Sequence, residues 1–159
     1  MPLTRGRLPR QSTHLRRVSF IHSTTLLAVT DVDDLDRWVD RYAAAIRERA
    51  PERVVACYHP QAEILVHGLA DAGSAWNSKH SVGTDGILEE YERFFALVDD
   101  FTVAYTDRIY DTNARSVAVI VRISGSNSDG TSFDRANALH LTFDEAGLII
   151  TMHNWYGDA

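Results

Sequence analysis

From Phe101 to Tyr156 the chain is an unbroken succession of strand-like segments, and no all-helical or doubly wound architecture accommodates such a run. The segments are Phe101 to Tyr110, Arg115 to Ser124, Ser132 to Phe143 and Leu148 to Tyr156. Turn-forming residues separate them: Asp111-Thr112-Asn113, the stretch from Gly125 to Gly130, and Asp144-Glu145-Ala146-Gly147. Everything before them reads differently. Leu35, Trp38, Val39, Tyr42, Ala45 and Ile46 recur at three- and four-residue spacing, behind the N-cap types Thr30 and Asp31 and the acidic Asp33 and Asp34. Pro51 suits the first turn of a second, short helix carrying Val54, Val55 and Tyr58 and ended by Pro60. Ala62 to His67 reads as a strand, and Gly68 to Gly83 as a polar loop. Thr84 then caps a third helix that buries Ile87, Leu88, Tyr91, Phe94, Phe95 and Val98. This order predicts an α+β fold: three N-terminal helices packed in a curved antiparallel sheet.

A chain of 159 residues favours one domain with one core, and the legible pattern assigns it to residues 31–159. Residues 1–30 contain Arg5, Arg7, Arg10, Arg16 and Arg17 and no acidic side chain, and they read as a flexible Arg-rich extension. They show neither a clear amphipathic transit helix nor the apolar stretch of a secretory signal. All 22 acidic residues therefore lie in the body, which disfavours nucleic-acid binding. No apolar run reaches the length of a membrane span. The single cysteine, Cys57, excludes an internal disulfide and a cysteine-built metal site. The expectation is a cytoplasmic protein without metal or cofactor.

Strand alternation sorts the side chains into two faces. Val117, Val119, Val121 and Ile123 share one; Leu139, Leu141 and Phe143 extend through Asn137 and Arg135 on the next strand; Ile150, Met152, Asn154 and Tyr156 share one on the last. A tight turn around Glu145-Ala146 sets Leu139 opposite Met152, Asn137 opposite Asn154, and Arg135 near Tyr156. The helix-facing side then runs from a greasy base to a polar mouth. His140, His153, Thr151 and Trp155 fall on the outer face, and His67 ends the first strand, where a one-residue register change aims it inward.

The segments Asp40-Arg41-Tyr42-Ala43-Ala44-Ala45-Ile46, Tyr58-His59-Pro60 and the closing hairpin from Leu139 to Gly157, in this order, resemble the nuclear transport factor 2-like superfamily. Within it they are most similar to SnoaL-like and ketosteroid-isomerase-like proteins. The resemblance covers nearly all of residues 34–157. It implies a cone with its active residues at the mouth and a homodimer formed through the outer sheet face. It sets Tyr42 where ketosteroid isomerases hold an oxyanion-binding phenol, and Asn154 where limonene epoxide hydrolases carry an essential aspartate. The isomerase's two carboxylates fall on Val66 and Leu139 instead, so the resemblance does not extend to that steroid chemistry.

Two readings follow. In the first, the chain is a cofactor-independent isomerase, cyclase or dehydratase for a hydrophobic oxygenated small molecule. Tyr42 and Asn154 polarise a carbonyl, an amide being able to donate though not to take a proton, and His67 moves a proton. Trp38, Val66, Val119, Val121, Arg135, Asn137, Leu139, Met152 and Tyr156 hold the ligand. In the second, Tyr42 is a core phenol, Asn137 and Asn154 bond each other, His67 is an exposed strand end, and the domain is a non-catalytic binding or assembly module.

Overall fold

The computed structural model describes residues 30–67 and 80–156. Helices α1 (Val32–Arg47) and α2 (Pro51–Val55) precede strands β1 (Tyr58–His67) and β2 (His80–Val82). Helix α3 (Gly83–Leu97) leads into β3 (Val98–Asp111), β4 (Ser116–Asn127), β5 (Ser132–Phe143) and β6 (Ile149–Tyr156). The strands form one curved six-stranded sheet in the order β2-β1-β6-β5-β4-β3. All neighbours are antiparallel except β1 and β6, which run parallel. The first and last strands thus meet in the middle, joined by a chain that has made a full circuit through α3 and the meander.

Helix α1 begins as its sequence dictates, with Asp31 Oδ1 accepting from the Asp34 N–H at 2.8 Å. Its apolar stripe, Leu35, Val39, Tyr42 and Ile46, enters the concave side of the sheet. Three local expectations change. Tyr58 and Pro60 belong to β1, not to the second helix, because the β1–β6 ladder breaks between Tyr58 and Glu63, and the proline sits where no ladder donor is needed. Residues 80–82 of the expected loop pair with β1, while 68–79 lie outside the described residues. Helix α3 starts at Gly83 straight out of β2, so Thr84 is inside the helix and no side chain caps it.

The closing hairpin keeps its predicted parity but slips two residues in register. Leu139 lies opposite Asn154, Leu141 opposite Met152, and Asn137 opposite Tyr156. The turn is longer than a two-residue one: Asp144 N–H reaches Leu148 O at 2.9 Å, and Asp144 Oδ1 accepts from Ala146 and Leu148 at 2.8 Å each. A bulge follows, because Phe143 pairs with Ile149 but Thr142 with Thr151. The bulge buries Ile149 completely and leaves Ile150 36% exposed, reversing the sequence assignment of those two.

Inner side chains then fall into rows across the sheet. Ile64, Met152, Leu141 and Val117 make the base; Val66, Asn154, Leu139 and Val119 come next; Tyr156, Asn137, Val121 and Tyr105 form the third; Arg135 and Ile123 begin the fourth.

Candidate functional site

A cavity of about 450 Å³, its open mouth included, lies between these upper rows and helices α1 and α3. Its wall is made of Tyr42 and Ile46 from α1, Tyr91 and Phe94 from α3, and Tyr105, Val121, Ile123, Asn137, Leu139, Met152, Asn154 and Tyr156 from the sheet. No lining residue carries a formal charge. The polar equipment consists of phenols and amides.

The phenols form a connected group. Tyr42 Oη lies 2.7 Å from Tyr91 Oη, which lies 3.0 Å from Tyr58 Oη. Tyr42 and Tyr58 also reach Met152 Sδ, at 3.7 and 3.4 Å. Tyr105 packs edge-on against Tyr42, centroids 6.1 Å apart. Burial, above all, pushes the ionisation of Tyr42, Tyr58 and Tyr91 well above the usual phenol value, and Tyr105 rises for the same reason. At neutral pH these groups are neutral hydroxyls. The thioether is a weak acceptor, so a carbonyl oxygen in the cavity would be a better partner for the Tyr42 proton than Met152.

The amides are the second polar element. Asn137 is 4% and Asn154 7% exposed, and the Oδ1 of each lacks a hydrogen-bond partner among the described residues. They do not pair with one another: the register makes them diagonal neighbours, Asn154 between Val66 and Leu139, Asn137 between Tyr156 and Val121. A buried amide left unsatisfied costs about 1–3 kcal/mol, so two in one wall represent stability given up.

The structure thus gathers Tyr42, Val121, Asn137, Leu139, Met152, Asn154 and Tyr156 around one space. The other sequence candidates lie elsewhere. Trp38 packs on the closing hairpin, against Phe143 at 5.4 Å and over Gly147, where a Cβ would stand 2.3 Å from the indole. Val66 and Val119 are buried in the wall without reaching the cavity. Arg135 has inward parity beside Ile123 but does not line the cavity.

His67 is on the outer face, because its neighbour Val66 takes the inward position. Its Nε2 meets His153 Nδ1 at 3.0 Å, and its ring lies parallel to that of Trp155 at 4.9 Å. The two imidazole planes differ by 6° with centroids 5.3 Å apart, the separation of rings meeting edge to edge through one N–H···N bond.

Tyr91 and Tyr105 are the main additions to the sequence-derived set. Tyr91 was legible as a buried helix residue, and Tyr105 by alternation with Phe101 and Val103, but neither had a signal for its partner. Glu90 is the one buried carboxylate among the described residues; it does not line the cavity and is paired with Arg93. No cluster of three or more metal-ligating side chains occurs among the described residues, and no helix there is long and apolar enough to cross a membrane.

A curved sheet wrapped over three helices around such a cavity defines the nuclear transport factor 2-like cone, and sequence comparison names the branch. The model of the SnoaL-like domain matches residues 39–152, and the chain belongs to that family. No curated protein matches the sequence. Among solved structures, the chain is similar to the epoxide hydrolase/cyclase-like enzyme SalBIII of pyran ring formation in the polyether salinomycin. The TM-score is 0.65 at 17% identity, covering 80% of this chain and 93% of that one. TerC, co-crystallised with polyporic acid, gives 0.64 at 18% identity over 78% and 92%. A protein of ketosteroid isomerase-like fold from Catenulispora acidiphila gives 0.63 at 16% over 76% and 85%. At these identities the likeness is one of fold.

Proposed function

We propose that the domain is a cofactor-independent enzyme of the isomerase, cyclase or dehydratase type, acting on a hydrophobic oxygenated small molecule held in the cone. The observation that carries this reading is the neutral phenol group backed by buried amides in a cavity lined by no charge. Tyr42, oriented by Tyr91, donates to a substrate carbonyl and stabilises the oxyanion that develops there; Asn154 offers an amide N–H from the opposite wall.

Such donors act where charge grows on oxygen, as in enolisation, elimination beside a carbonyl, or addition to one. The lining residues include no carboxylate or imidazole, so proton abstraction by a strong base is the poorest match. Intramolecular addition is the best match: the substrate's own hydroxyl is the nucleophile, the cone supplies orientation, and the hydroxyl proton ends on the carbonyl oxygen. Replacing Tyr42 by Phe or Asn154 by Ala should each lower kcat roughly 100-fold, with the fold intact by circular dichroism. Unchanged turnover in both variants sinks the assignment.

A second reading, a non-catalytic binding module, draws on the same absence of a lining group that titrates near neutrality. It predicts that a ligand carried through purification is recovered unchanged after prolonged incubation. In either case we infer a homodimer through the outer sheet face, where Trp155, Ile120 and Ile109 remain 42%, 39% and 73% exposed in one copy.

A further inference from the structure

We propose that Asn137 and Asn154 are a hydroxyl-reading pair, restricting the ligand to neutral molecules that carry hydroxyl groups in addition to the carbonyl held by Tyr42. The inference rests on the reading that the cone binds an oxygenated small molecule, and adds the class of molecule.

Asn154 shares its inner row with Val66, Leu139 and Val119, and Asn137 stands between Tyr156 and Val121, so a leucine at either would satisfy the strand pattern without an unpaired atom. Instead each holds an amide more than nine-tenths buried, lining the cavity, with an unpartnered Oδ1. An unpartnered carbonyl oxygen asks for a donor. Among the neutral oxygen groups of such a ligand, a hydroxyl both donates and accepts where a ketone, ether or ester oxygen only accepts, and so completes a carboxamide whichever way its oxygen and nitrogen are turned. A ketone or ether oxygen can serve only the NH₂ and leaves Oδ1 orphaned.

Charged alternatives fit worse. A carboxylate or phosphate would enter a cavity whose lining holds no cation, and an ammonium one whose lining holds no anion. A site built to bond a hydroxyl rejects the analogue lacking it more strongly than a purely apolar site does, because the protein's own polar atoms are left unpaired.

The test uses 1-tetralone, 6,7-dimethoxy-1-tetralone and 6,7-dihydroxy-1-tetralone at pH 6.5, with dissociation constants from calorimetry on the full chain. These share a carbonyl and differ in whether the far edge carries nothing, acceptors only, or donors. The dihydroxy compound should bind at least about tenfold more tightly than the dimethoxy compound. Asn137→Leu and Asn154→Leu should each erase that preference, and each should raise the melting temperature by roughly 2–4 °C, since an unpaired polar atom is replaced by packing. Equal affinity of the wild-type protein for all three compounds overturns the inference and leaves the carbonyl-binding cavity standing. Binding of none of them overturns the cavity reading, and this one with it. A lowered melting temperature or loss of folding in both leucine variants means that the bulkier side chain overpacks the wall, and the decision passes to smaller replacements. The Asn→Ala variants, which leave the cavity open, provide the affinity comparison in that event; a hydroxyl preference that survives in both refutes the pair.

Discussion

Tyr42 and Tyr58 make nearly the same contacts, each reaching Tyr91 Oη and Met152 Sδ, yet only Tyr42 lines the cavity. The difference separates architecture from function. Converting either to Phe removes one buried hydroxyl and should cost about 1–2 kcal/mol in urea unfolding, with the m-value unchanged. Ligand affinity should divide them: Tyr42→Phe loses it and Tyr58→Phe largely keeps it. Equal loss in both would mean that the phenols act as one unit. A second residue-scale constraint lies at Gly147, which has φ +77° and Trp38 ring atoms 2.3 Å from where a Cβ would stand. Gly147→Ala is both strained and overpacked. It should destabilise the domain by about 2–4 kcal/mol in the same unfolding experiment.

At the scale of elements, what was legible in the sequence follows from what each signal measures. Alternation reports a face, so Val117, Val119, Val121 and Ile123 were read on the inner side, and Asn137 and Asn154 shared the face that became the cavity wall. Alternation cannot report a two-residue slip, since the parity is the same before and after it. The longer Asp144–Leu148 turn and the bulge at Ile150 decided the register instead. Trp38 was misread for a related reason: the apolar stripe of α1 says which residues are buried, but not which end of the helix meets the cavity. Trp38 sits one turn before Tyr42, and that turn carries it to the hairpin.

The same end of α1 is tied to β3 by charge. Arg108 bridges Asp36 and Asp40 at 2.5 Å each, and the Tyr110 hydroxyl donates to Asp36. The hydrogen bond from Tyr110, then Arg108, holds the Asp36 carboxyl below its usual range. A depressed carboxylate contributes stability that is present above its unfolded pKa and is lost as the pH falls through the folded value. Asp36→Asn should therefore lower stability in the neutral region and leave it little changed near pH 3, which flattens the acid limb of the profile below about pH 4. Thermal melting between pH 3 and 7 checks it, and an unchanged acid limb refutes it.

For the whole molecule, the outer face is the counterpart of the cavity, and its registers are equally telling. One row crosses all six strands: His80, Leu65, His153, His140, Ala118 and Ile109. The next runs His67, Trp155, Ala138, Ile120 and Thr106. These two rows contain no Asp, Glu, Lys or Arg, on a chain of formal net charge −6. The flanking charges are Glu63, 3.2 Å from His80, Asp111 at the far end of the Glu63 row, Asp107, whose carboxylate accepts from the Thr106 hydroxyl at 3.1 Å, and the Arg122–Asp134 pair at 2.8 Å. At neutral pH two copies can appose this belt without like-charge repulsion, which little of an acidic surface otherwise permits. Its only ionisable side chains are the imidazoles of His67, His80, His140 and His153. The N–H···N bond between His67 and His153 requires one ring to keep a lone pair, and burial, followed by His67 and His140, holds the His153 pKa below the ordinary histidine value.

That depression is a property of the single folded chain, so by itself it opposes folding, not association, as the pH falls below about 6.5. Protonation would also set cationic rings of one copy against those of the other. Sedimentation velocity should therefore find dimer at pH 7.5 and an increasing monomer fraction toward pH 5.5. Trp155→Glu should give monomer at both values with the fold retained, and His153→Phe should weaken the pH response without abolishing it, since His67, His80 and His140 remain in the belt. A wild-type dimer equally strong at pH 5.5 would refute imidazole control, and dimer persisting in Trp155→Glu would move the interface off this face.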